Sequence, residues 1–169
     1  FAELARGGDP RAAETQAVIP ALTEANIRKP DYVFFPSVAA RQAAAGRQNS
    51  PTYAQEAVAV GEAKRWTAAL DKKVRGGAPN FDNNNPGYQI DYYLRAAGVT
   101  WGVLTNGRLW RLVHRDTSYK LDVYFEIDLE TAVRENHLVA LRYFTLFFGR
   151  RSFLPDENGR IFVNDALTE

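Results

Sequence analysis

Ala57-Val58-Ala59-Val60-Gly61-Glu62-Ala63-Lys64 and, upstream of it, Lys29-Pro30-Asp31-Tyr32-Val33-Phe34 are the two stretches on which the fold turns. Both are short apolar runs of the length and composition of buried strands. In the first, Val58, Val60, Glu62 and Lys64 share one face, because side chains alternate along a strand. In the second, Pro30 biases its predecessor to extended geometry and Pro36 closes the run after Phe35. Antiparallel pairing of the two sets the start of one beside the end of the other, which brings Asp31 level with Glu62. One small patch then holds two carboxylates and an ammonium.

Outward from this pair, the chain alternates between strand and helix patterns. Residues 11–25 read as an amphipathic helix, with Val18, Ile19 and Leu22 at helical spacing. Residues 37–55 hold almost no large apolar side chain and read as a surface insertion, helical around 38–45. Residues 75–85, with paired glycines and a run of Asn, read as a loop. A helix then opens on Pro86 with Asn85 as N-cap and ends at Gly98, carrying Gln89, Tyr92, Tyr93 and Ala96 along its length. Residues 99–105 and 108–114 flank Asn106-Gly107, a strong hairpin signal. Leu121, Val123, Phe125, Ile127 and Leu129 alternate with polar residues as a half-buried strand. From Glu130 to Phe148 the spacing predicts one amphipathic helix buried along Val133, Leu138, Leu141, Phe144 and Phe148. This order predicts an α/β fold: a mixed central sheet flanked by helices, in one domain spanning 1–169, without internal repeats.

Composition narrows the function. The 169 residues include no Cys, which excludes disulfides, thiolate metal sites and a Cys nucleophile together. Apolar residues make up 46% and charged residues 24%, the balance of a globular domain. No stretch approaches the roughly 18 apolar residues of a membrane span, so the expectation is a cytoplasmic protein with no membrane partner. The chain opens on Phe1 and contains no Met, as expected for a fragment of a larger protein. A net charge of +1 does not advertise a polyanion partner, so any nucleic-acid contact needs basic residues gathered locally.

The Asp31–Glu62–Lys64 patch has a clear chemical use. Two hard oxygen ligands suit Mg²⁺, which keeps several waters and accepts phosphate oxygens in its remaining positions. A nearby Lys can hold an attacking water and offset charge building on a phosphoryl group. Residue types alone also fit an ordinary surface ion pair of Lys64 with either carboxylate. Beyond the patch, Gln89 and Tyr93 form a Gln-x-x-x-Tyr pattern on the next helix, and Thr105-Asn106-Gly107 precedes Trp110 on the hairpin.

Together Pro30-Asp31, Gly61-Glu62-Ala63-Lys64, Gln89/Tyr93 and the hairpin resemble the PD-(D/E)XK nuclease superfamily. Within it, the chain is most similar to the N-terminal nuclease domain of fused, type IIG-like restriction–modification proteins, and more distantly to the type I restriction subunit. The resemblance runs roughly from Glu14 to Phe153. It implies a restriction-endonuclease-like core and Mg²⁺-dependent hydrolysis of double-stranded DNA, with Mn²⁺ as a substitute. Asp31, Glu62 and the Ala63 carbonyl are implied as metal ligands, and Lys64 as the residue that positions or activates water. Gln89 and Tyr93 are implied to orient the site or touch the phosphate; Glu14, on the first helix, matches an acidic position that only sometimes completes the metal shell, and it reads equally well as an exposed helical charge. The resemblance also implies a downstream methyltransferase that uses S-adenosylmethionine, and a target-recognition region. Two departures stand out. The link from Leu22 to Pro30 is shorter than in relatives, which residues missing near Ala25–Asn26 would explain, and residues 37–55 widen the spacing from Asp31 to Glu62.

Lys29, Arg65, Lys72, Lys73 and Arg75 gather around the motif in sequence and are expected to contact the DNA backbone. His114 and His137 lack metal-ligand spacing. Trp66, Trp101 and Trp110 are assigned to core or hairpin packing, and Asp122, Glu126 and Asp128 to a solvated strand face. A rival function is a catalytically inactive module of the same fold that docks DNA or neighbouring domains.

Overall fold

The computed structural model describes residues 13–15, 30–47, 52–71 and 85–167. The described strands are β1 (Ala13–Thr15), β2 (Tyr32–Phe34), β3 (Ala59–Ala63), β4 (Trp101–Thr105), β5 (Leu109–His114) and β6 (Phe125–Asp128). They form one sheet in sequence order, antiparallel throughout except for the parallel pair β3–β4. A parallel pair needs a crossover, and the helix α2 (Pro86–Ala97) supplies it. Asn85 caps α2 by accepting the Gly87 N–H at 2.9 Å, and Gly98 ends it in the left-handed conformation at φ +67°.

Alternation along the strands builds two cores. Val33, Val60, Leu104 and Val113 point to one face, where they meet Ile90, Tyr93 and Leu94 of α2. Phe34, Trp101, Val103, Trp110 and Leu112 point to the other. There they meet α4 (Leu138–Phe148) through Phe144, Phe147 and Phe148, together with Val163 of α5 (Phe162–Leu167). Trp110 packs edge-on against Phe144 and Phe148, at centroid separations of 5.1 and 5.6 Å. β3 and β4 are covered on both sides, which is why they read as nearly unbroken apolar runs. The described chain is thus α/β, with a mixed sheet between helices. Among the described residues, no helix is long and apolar enough to cross a membrane.

Several expectations need correction. Glu14 lies on a strand, not a helix: β1 pairs antiparallel with β2, Glu14 opposite Val33. The rest of the expected 11–25 helix, and the junction at Ala25–Asn26, fall outside the described residues. The 37–55 segment does contain a helix, α1 (Val38–Ala45), capped by Ser37. It is nevertheless tied into the core, because Ala44, Tyr53 and Ala54 are buried against the α2 face. The expected 130–148 helix is two: α3 (Leu129–Arg134) and α4, broken where Asn136 turns to φ +51°. His137 then caps α4 by accepting the Ala140 N–H at 3.1 Å. The break turns Val133 and Leu138, expected in the buried stripe, out to solvent. The expected 121–129 strand is confined to β6, with Val123 exposed ahead of it.

Candidate active site

The register of β2 on β3 pairs Tyr32 with Gly61, so Asp31, one residue before the strand, stands beside Glu62 as expected. Asp31 Oδ2 accepts the Ala63 N–H at 2.8 Å, which fastens the carboxylate across the strand gap. Glu62 follows Val60 by two residues and therefore shares the face covered by α2. It is only 5% exposed. Lys64 Nζ donates to Glu62 Oε1 in a close ion pair, while the Lys64 N–H donates to the Thr105 carbonyl at 2.7 Å. The backbone at Lys64 is thereby fixed to the end of β4, and its side chain turns back over Glu62.

Burial pushes the Glu62 carboxyl above the usual glutamate range, and the neighbouring Asp31 charge adds to this. The Lys64 ammonium opposes both. Glu62 Oε2 is buried and has no hydrogen-bond partner among the described residues. A buried carboxylate oxygen left unpaired is costly, and so is the desolvation of an ion pair. The ion pair that residue types alone allowed is formed, between Lys64 and Glu62, but it is largely buried and not at the surface.

Gln89 and Tyr93 are 3% and 1% exposed on the side of α2 that faces the sheet, in the same layer as Glu62. Gln89 Oε1 also lacks a hydrogen-bond partner among the described residues. Arg65 is exposed in the loop after Lys64, whereas Lys29, Lys72, Lys73 and Arg75 lie outside the described residues. Glu14 is held by its register on the edge strand beside β2. Among the described residues no group of three or more His, Asp and Glu gathers, so the acidic pair is Asp31 and Glu62.

The hairpin between β4 and β5 braces the site from one end. Asn106, 2% exposed, accepts the N–H groups of Arg108 and Leu109 at 3.0 and 2.8 Å. Its Nδ2 donates to the Ala68 carbonyl at 2.8 Å, which ties down the loop leaving Lys64. Sequence pattern alone marked Asn106-Gly107 as a turn and did not reveal this bridge. The same edge of the sheet, at the carboxyl ends of the parallel strands β3 and β4, holds Asp31, Glu62, Lys64 and the hairpin. Ligand crevices of open α/β sheets form at such ends.

The chain matches no family model, no curated protein and no solved structure. The nuclease resemblance therefore rests on the ordered residues themselves.

The remaining candidates have structural roles. Trp101 and Trp110 are buried, as expected, with Trp101 Nε1 donating to Asn164 Oδ1 at 2.7 Å. Trp66 sits on the hairpin but is 53% exposed. Asp122, Glu126 and Asp128 are exposed, as their pattern suggests. Glu126 pairs at 2.5 Å with Arg111, itself 5% exposed and stacked 4.0 Å over the Tyr124 ring. Asp128 caps α3 through the Thr131 N–H at 2.9 Å.

Proposed function

We propose that this chain is a metal-dependent DNA endonuclease module, the cleavage part of a restriction–modification or phage-defence protein. The observation that carries the reading is the buried Glu62, with one oxygen paired to Lys64 and the other unpartnered, beside an Asp31 fastened to the next residue. An unpaired buried carboxylate oxygen next to a second carboxylate suits a hard divalent cation. Asp31, Glu62 and the Ala63 carbonyl would hold Mg²⁺, or Mn²⁺ in its place. When bound, the ion would supply a more acidic water and charge neutralisation at phosphorus. Lys64 would orient that water and offset negative charge on the phosphate. Gln89 and Tyr93, fixed by burial in the same layer, would keep the wall of the site rigid or reach the phosphate. Arg65 would contact the DNA backbone, together with Lys29, Lys72, Lys73 and Arg75. S-adenosylmethionine enters this reading only through a methyltransferase elsewhere in the parent chain, and sequence recognition through a separate target-recognition region.

Plasmid nicking in Mg²⁺ or Mn²⁺ tests the reading. Asp31→Ala and Lys64→Ala should each lower the rate at least ~100-fold, the size of a lost charge-positioning group. Because Lys64→Ala strands the buried Glu62 and Asp31→Ala frees the Ala63 N–H, nicking is compared at a temperature where circular dichroism shows each variant folded. Equal rates for wild type and variants in the full-length protein would leave the inactive docking module as the better account.

A further inference from the structure

We propose that Trp66 is a stacking platform for an unpaired base next to the scissile phosphate, so that the preferred DNA is single-stranded or opened at the point of cleavage. The inference rests on the nuclease reading above and adds to it the state of the substrate. Trp101 and Trp110 are 4% and 6% exposed, whereas Trp66 is 53% exposed, two residues beyond Lys64. Its position is built. A methyl group on Gly107 would come within 2.9 Å of Trp66 Cε3 and 3.1 Å of Cζ3, so one edge of the ring is seated against the turn where that side chain is missing. Gly107 has φ +88°, and its N–H is held by Thr105 Oγ1 at 2.9 Å. The loop carrying the ring is pinned at both ends, by the Lys64 N–H on the Thr105 carbonyl and by Asn106 Nδ2 on the Ala68 carbonyl. Within that loop the Ala68 N–H donates to the Arg65 carbonyl at 2.8 Å.

The result is a large apolar ring, seated along one edge and 53% exposed to solvent, with exposed Arg65 between it and Lys64 in the chain. A nucleic-acid base offers an aromatic ring a π-face of the right size, and a neighbouring cation holds the attached phosphate. Inside an intact duplex both faces of a base are covered by its neighbours, so such a platform selects unpaired bases.

Intrinsic tryptophan emission tests this with cleavage silenced by EDTA, using oligothymidylate and a blunt duplex of equal length at fixed low salt. Of the three tryptophans in the chain, Trp66 is the exposed one, so stacking should quench its solvent-exposed emission. Oligothymidylate should quench wild type more strongly than the duplex does. Its affinity, read by anisotropy, should fall about tenfold in Trp66→Ala, which is the usual loss for one stacked base. Trp66→Phe should recover most of that loss, and duplex affinity should change little in either variant. Wild-type affinity for oligothymidylate in Trp66→Ala, or equal quenching by the duplex, would overturn the proposal. Because binding is read without turnover, loss of nicking in Asp31→Ala still reports separately on the nuclease reading.

Discussion

At the scale of single residues, Glu62 sets the tension in this fold. Its carboxyl is raised above the ordinary glutamate value of 4.5, first by burial and then by Asp31, against the opposing Lys64 charge. An acid whose native pKa is raised binds its proton more tightly folded than unfolded. Its favourable contribution is complete below pH 4.5 and is lost as pH climbs through the native value. Metal-free protein should therefore lose stability as pH rises from about 4.5 toward neutrality, and Glu62→Gln should remove that part of the slope. Urea unfolding in EDTA across this range checks the point, and equal slopes for wild type and Glu62→Gln would refute it. The position of Glu62 beside Asp31 was legible in sequence, because strand alternation and antiparallel register are local rules. Its missing hydrogen-bond partner was not, since that depends on how closely α2 covers the sheet. The open ring of Trp66 was equally hidden, because composition assigns tryptophans to cores.

At the scale of elements, the contact between α2 and the sheet depends on Gly102. A methyl group there would meet Ile90 Cγ1 at 2.7 Å and Leu94 Cδ1 at 3.3 Å, so β4 lets the helix approach only because this residue has no side chain. Gly102→Ala should cost about 1–3 kcal/mol by overpacking and should lift the helix that carries Gln89 and Tyr93. Denaturant titration reads the first effect and plasmid nicking the second. The ends of α2 were readable from Asn85-Pro86 and Gly98, since caps are written in neighbouring residues. The break between α3 and α4 was not, because Glu135, Asn136 and His137 include neither Gly nor Pro. Asn tolerates the left-handed conformation, and the His137 ring can cap the following helix. Likewise the Ala-Glu-Thr run of β1 has no strong strand propensity, and pairing with β2 decides its conformation.

At the scale of the whole molecule, a net charge of +1 and a few basic groups near the site allow phosphate contacts without sequence reading. The domain alone should bind duplex DNA weakly, with an affinity that falls about tenfold or more between ~50 and ~200 mM salt. Titration against several unrelated duplexes should show little preference, and tight binding to one of them would expose a reading element within these residues. The parallel join of β3 to β4 also shapes the route by which the chain folds. Every rung from Ala59↔Trp101 to Ala63↔Thr105 spans the same 42 residues, whereas Thr105 and Trp110, paired across the hairpin, are near neighbours in the chain. Loop-closure entropy favours the hairpin first and the distant rung late. The rungs that join β3, with Glu62, to the hairpin are therefore expected to form after the hairpin itself. In stopped-flow refolding, substitutions at Gly107 should slow folding, while Glu62→Gln should act on the unfolding limb. In a chain organised this way, the corner that joins the carboxylates to the hairpin should be among the last to form.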